Sequence, residues 1–139
     1  MSKKINENFL KLYLEMDKAC CDKFGISTGG VTEYINRLST TRFAPNRDEV
    51  LPHLVKYRNT RNIFTHQASA IRKSNELTGI DIKWIKRFSR DLNRKKDPLS
   101  AYLKKARRYA RNKRIKRYLI GAAVLVAVIV GVVVYLQLQ

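Results

Sequence analysis

The sequence predicts an all-α protein: a four-helix bundle, then a basic helix, then a single C-terminal transmembrane helix. Three observations predict it. Apolar residues recur at intervals of three and four through the first hundred positions, and no strand-like alternation interrupts them. Nine of the fourteen residues from Lys104 to Arg117 are basic and none is acidic. Residues 118–136 form an uncharged run of 19, YLIGAAVLVAVIVGVVVYL.

The first helix is marked by Ile5, Phe9, Leu12, Tyr13, Met16 and Cys20, and Gly25 ends it. After the turn GISTGG, Val31, Tyr34, Ile35 and Leu38 mark a short second helix. The stretch Phe43-Ala44-Pro45-Asn46 is a breaker. Asn46 and Glu49 have capping-box spacing, with Pro52 following, so the third helix either kinks at Pro52 or begins there as a first-turn proline. Both versions run to about Lys73, and 74–79 is a connection. Asp81 to about Lys95 reads as the fourth helix. Its core face is Ile82, Ile85, Phe88 and Leu92, and its other face carries Lys83, Lys86, Arg87, Arg90 and Arg94. Pro98 breaks the pattern. A final helix then starts with Leu99, Tyr102, Leu103, Ala106, Tyr109 and Ala110 on one side. The organisation expected is a cytoplasmic domain over 1–96, a basic juxtamembrane helix over 97–117, a span over 118–136 and a short non-cytoplasmic tail over 137–139.

The span fixes the expected address. At 1.5 Å per residue it is roughly 28 Å long, the thickness of a bilayer's hydrocarbon core. It is apolar on every side, and a chain of 139 residues has no interior large enough to hide it. The opening residues MSKKINENF lack the apolar core of a secretory signal, so a tail anchor is expected. Lys113, Arg114, Lys116 and Arg117 abut the run on its N-terminal side and nothing basic follows it. By the positive-inside rule the domain faces the cytoplasm, as a single-pass protein of the plasma membrane, and a bacterial one suits the pattern. Ala123, Ala127 and Gly131 repeat every four residues, which would let two such helices approach.

The net charge of +18 is uneven, with 20 basic and 10 acidic residues over 1–96 and 9 basic residues beside the lone Asp97 over 97–117. That balance favours phosphate-bearing partners, either RNA or anionic lipid headgroups. Lys104, Lys105, Arg107, Arg108, Arg111, Lys113, Arg114, Lys116 and Arg117 are expected to contact lipid, since they are tethered within a few turns of the bilayer. RNA is the second reading for the same residues, but the basic face of the fourth helix, farther from the bilayer, is the better nucleic-acid candidate or else a solvated surface. Cys20 and Cys21 are adjacent, about 100° apart on a helix, so they read as buried thiols in a reducing cytosol. With His53 and His66 the only histidines, no metal site and no cofactor are expected. A glycine-rich phosphate loop and a partnered Ser or Cys nucleophile are also missing from the sequence.

One segment carries chemistry. Leu54, Tyr57, Phe64, Ala68 and Ile71 form a seam on the third helix, and Arg61 falls inside it. A buried Arg needs an anion, a carbonyl or a partner subunit. Asn59, Asn62 and His66 share a neighbouring face, at spacings of three and four. Arg47 to His53 has a related spacing, with Pro52 inside it.

Here residues 5–96 resemble the HEPN superfamily, helical bundles whose signature is an Arg, usually followed by a polar residue, then His after four to six residues. Arg61-Asn62-Ile63-Phe64-Thr65-His66 fits that signature. Many such proteins are metal-independent ribonucleases that pool Arg and His from two chains. The resemblance implies His66 as general acid/base at the ribose 2′-hydroxyl or leaving oxygen, Arg61 as stabiliser of the phosphate charge, and Asn62 as orienting residue. The Arg-Asn pair recurs as Arg58-Asn59, which implies a ligand-binding role there. Arg61 and His66 lie about 140° apart around one helix, so a homodimeric site is expected, aided by membrane tethering. The alternative is a different class of protein: a non-catalytic, membrane-tethered adaptor for a protein partner, with its basic helix gripping anionic lipid.

Overall fold

In the computed structural model, residues 2–66 and 77–138 are described. They form five helices and no strand: α1 (Ser2–Phe24), α2 (Gly30–Thr40), α3 (Arg47–His66), α4 (Gly79–Asn93) and α5 (Pro98–Gln137). The first four pack around one core whose fully buried large side chains include Phe9, Met16, Tyr34, Leu54, Tyr57 and Ile85. Ala68, Ile71 and the expected run of α3 to Lys73 lie outside the described residues.

Local signals explain the boundaries. Gly25, at φ +68°, ends α1, and the Ile26 N–H closes back on the Cys21 carbonyl at 3.1 Å. Gly30 opens α2 directly against α1. A Cβ there would stand 2.3 Å from the Asp17 carbonyl oxygen and 2.5 Å from the Cys21 nitrogen, so only glycine fits. From the same turn of α1, the Asp17 carboxylate accepts the Val31 N–H at 2.8 Å and caps α2 from outside.

Of the two starts the sequence allows for α3, the earlier is found: the helix begins at Arg47, with Pro52 inside it. Asn46 takes φ +54°, which asparagine tolerates, and its backbone carbonyl accepts the N–H groups of Glu49 and Val50. The capping box is found at α4 instead, where the Asp81 carboxylate accepts the Thr78 N–H at 2.8 Å. α4 stops at Asn93 because Lys95 turns left-handed at φ +54°, and the Lys96 N–H closes on the Asp91 carbonyl at 2.8 Å.

The chain divides into two compact units, Met1–Tyr102 and Leu103–Gln139. The first runs past the expected boundary at 96 because Asp97 is buried in it. Asp97 precedes Pro98, the first residue of α5, and accepts the Ser100 N–H at 3.2 Å as a helix cap. It also receives the Tyr34 hydroxyl at 2.7 Å and the Lys23 ammonium at 3.0 Å. Lys23 reaches Ser100 Oγ as well. Pro98 and Leu99 are buried and Tyr102 half-buried, but Leu103, Ala106, Tyr109 and Ala110 are exposed, so the apolar side expected for this helix packs only at its start.

In the second unit, α5 carries the apolar run. It is long and apolar enough to cross a membrane, and its most apolar window has no buried residue. A helix hydrophobic on all sides with nothing covering it is suited to lipid rather than water.

Candidate functional site

The Arg-Asn-x-x-x-His segment sits on the second half of α3, which packs on α1 through aromatic rings. Phe9 of α1 packs edge-on against Tyr57 at 5.8 Å and against Phe64 at 6.0 Å, one turn above and one turn below Arg61. Val50, Leu54, Tyr57, Thr60 and Phe64 form the buried stripe of α3. The seam is therefore as expected at Leu54, Tyr57 and Phe64, but Thr60 holds the fourth buried place and not Arg61. Thr60 tolerates burial because its hydroxyl donates to the Lys56 carbonyl at 3.0 Å. Arg61 lies half-buried at the margin, and its guanidinium donates to Asn62 Oδ1 at 3.2 Å.

Asn59, Asn62 and His66 are exposed, and Arg58 is half-buried. The Thr65 hydroxyl donates to the Arg61 carbonyl at 2.9 Å. Arg58 and Arg61 both act on the Tyr13 phenol of α1. Burial, with the nearby Asp17 charge, pushes that phenol up to about 12, while the two guanidiniums pull it the other way. Tyr13 is 4% exposed and was not legible as a neighbour of the motif, because its spacing in α1 reads only as core.

Below this face Asp81 ties α4 to α3. Its carboxylate accepts Lys56 Nζ at 2.9 Å, Tyr57 Oη at 3.0 Å and the Thr78 hydroxyl at 2.9 Å. Burial alone would raise its pKa, but these bonds and the Thr78 N–H hold it at about 2. The Tyr57 hydroxyl is pushed up by burial and by that same carboxylate.

A second region was missed by the sequence reading. His53 of α3, Trp84 and Phe88 of α4 stack as parallel rings, at 4.7 Å and 5.2 Å between centroids. Beside them lies a cleft of about 480 Å³, open solvent included, walled by Trp84, Arg87, Asp91, Glu49 and Lys96 among others. Arg87 and Asp91 stand four apart on α4 and both face this cleft, yet among the described residues neither makes an ion pair. The cue in the sequence was Trp84 among the basic residues of α4.

The nine basic residues assigned to lipid, Lys104 to Arg117, are all exposed along α5. Among the described residues no group of three or more His, Cys, Asp and Glu is arranged to hold a metal ion. Cys20 and Cys21 are free and buried; burial, with Asp17 and Asp97 nearby, pushes the Cys20 thiol up to about 12. No curated protein and no solved structure matches the chain. A family model does, over residues 7–119, which takes in α1 from Glu7 on, α2, α3, α4, the Asp97 cap and the basic stretch of α5: the chain belongs to the family of unknown function DUF6548.

Proposed function

We propose that this protein is a membrane-anchored, HEPN-like ribonuclease that works at the cytoplasmic face of a plasma membrane as a dimer and without a metal. The observation that carries this reading is the outward presentation of Asn62 and His66 on a helix face fixed from below by the Phe9, Tyr57 and Phe64 rings, with Arg61 bonded to Asn62. A helix-packing network would instead seal those groups inside the chain.

The chemistry follows from the residue types. His66 of one chain takes the proton of a ribose 2′-hydroxyl, whose oxygen bonds to phosphorus as the P–O5′ bond breaks, and the protonated His66 of the second chain gives its proton to the leaving 5′-oxygen. Arg61 stabilises the charge that grows on the phosphate oxygens. Asn62 orients Arg61, and Arg58 and Asn59 hold the flanking nucleotide. The products are a 2′,3′-cyclic phosphate and a 5′-hydroxyl. Two chains supply Arg and His to one site, because the two side chains leave a single helix about 140° apart. The exposed cations of α5 grip anionic headgroups at about 1 kcal/mol each, which concentrates the chains in one plane.

The test uses the full chain in detergent micelles with mixed RNA and excess chelator, beside His66→Ala and Arg61→Ala, each checked for helicity by circular dichroism. Cleavage by the parent alone, leaving cyclic phosphate ends, supports the reading. A folded parent that leaves RNA intact rejects it and favours the adaptor reading.

A further inference from the structure

The outer face of α4 is the most one-sided surface of the bundle. Lys83, Arg87, Arg90 and Arg94 follow one another at intervals of four, three and four, so they line up along one side of the helix over about 16 Å, with neighbours about 5–6 Å apart. All four are exposed, and so is Lys86 at their flank. Five cations on the other helices are paired, Lys3 with Glu7, Lys23 with Asp97, Arg37 with Glu33, Arg47 with Asp48 and Lys56 with Asp81. Among the described residues, no cation of the α4 row makes an ion pair, and the same holds for Lys4, Lys11 and Lys18 of α1, Arg58 of α3 and the basic stretch of α5. Leaving four like charges unpaired in a row raises the energy of the free protein, and an anion of matching repeat relieves it.

Two anionic surfaces fit a row of charges, a lipid leaflet and a nucleic-acid strand. A helix that lies on lipid inserts its apolar face, but Ile82, Ile85, Phe88 and Leu92 of α4 are already buried in the core. The row also runs past the cleft at Arg87. There Trp84 offers a ring edge, Lys96 a further cation, and Glu49 and Asp91 carboxylates that accept hydrogen bonds from the amino and imino groups of a base. A nucleotide uses both kinds of charge.

We propose that the outer face of α4 is a track for single-stranded RNA, with Lys83, Arg87, Arg90 and Arg94 neutralising successive phosphates and the cleft beside Trp84 taking one base. The proposal rests on the RNA reading above but not on cleavage. It concerns a different helix from the one that carries Arg61 and His66.

The experiment measures binding of a 2′-O-methyl oligonucleotide, which cannot be cut, to the full chain in phosphatidylcholine nanodiscs over a range of salt. Three proteins are compared: the parent, the variant Lys83→Gln, Arg87→Gln, Arg90→Gln, Arg94→Gln, and a control with Lys104→Gln, Lys105→Gln, Arg107→Gln, Arg108→Gln. Because all eight positions are exposed, folding is retained, and circular dichroism checks it. The α4 variant should bind at least about tenfold more weakly than the control, and its logarithmic salt slope should fall by about 3, at roughly 0.7 per single-strand phosphate lost. Equal losses in the two variants show undirected polycation binding and overturn the track. So does unchanged RNA binding, including the case in which the α4 variant instead loses phosphatidylserine vesicles. A parent that does not bind the oligonucleotide overturns it too. Binding that depends on α4 with no cleavage of natural RNA keeps the track and rejects the ribonuclease. Cleavage that depends on His66 but ignores the α4 row does the reverse.

Discussion

The Tyr34 hydroxyl donates to the Asp97 carboxylate at 2.7 Å across 63 residues of chain, and this bond fastens the start of α5 to the core of the bundle. Lys23 supplies the counter-charge at 3.0 Å, with its side chain 18% exposed and that of Asp97 fully buried. Burial and the Asp97 charge together push the Tyr34 phenol far above its ordinary value, so it remains a donor at every pH the protein meets.

Removing Asp97 strands Lys23 and Tyr34 and uncaps α5. We expect Asp97→Ala to destabilise the bundle by about 3–5 kcal/mol, the range for breaking a buried pair. Tyr34→Phe should cost about 1–2 kcal/mol, since it deletes one bond to a charged group and a longer one from the Leu99 N–H at 3.4 Å. Denaturant titration followed by the fluorescence of Trp84, the single tryptophan, measures both. Equal, small effects from the two changes would show that the network is peripheral to stability.

Gly30 and Gly79 should respond in opposite ways to the same methyl group. Gly30→Ala drives a Cβ into the backbone of α1, so α1 and α2 must separate, and a loss of about 2–3 kcal/mol or more is expected. At Gly79 nothing stands within 4 Å of the added carbon, and the position is helical. There alanine should be neutral, or should stabilise by up to about 1 kcal/mol. Thermal melts of the two variants side by side test the close approach.

Acid should weaken the joint between α3 and α4. The folded-state pKa of Asp81 is depressed to about 2 from 3.8, so its contribution is fully present above pH 3.8 and is lost as pH falls towards 2. Asp81→Asn should flatten that part of the stability profile while leaving the rest of the curve in place. A parent whose stability between about pH 4 and 2 matches that of the variant would contradict the assignment.

On the ribonuclease proposal, Asn62→Ala should lower cleavage of RNA by about tenfold or more with little change in melting temperature. Asn62 is exposed, and its bond is to Arg61 alone among the described residues. A rate equal to that of the parent would remove Asn62 from the site.

Much of the fold was legible because it rests on periodicity. Phe9, Tyr13, Met16 and Cys20, and likewise Ile82, Ile85, Phe88 and Leu92, are buried where a 3.6-residue repeat puts them. The choice between Thr60 and Arg61 was not legible, since both fall near the seam and the orientation of α3 is decided by Phe9 wedging between Tyr57 and Phe64. Asp97 was visible only as the lone acid of a basic stretch. Its bonds to Lys23 and Tyr34 depend on how α1 and α2 meet, and no local pattern encodes that. The α3 motif could be read from spacing and residue type, whereas the cleft beside Trp84 exists only once α3, α4 and the start of α5 converge.

The burial of Cys20 has a kinetic corollary. Cys20 is fully buried with its Cβ against Gly30, where α1 and α2 touch, and burial pushes its thiol up to about 12, which leaves almost no thiolate at neutral pH. A thiol-directed reagent therefore reacts there only in the brief intervals when the two helices part. The rate at which the native chain takes up label at Cys20 is a clock for that opening, already present in the protein, and it can be read in a membrane where denaturant titration is hard to perform.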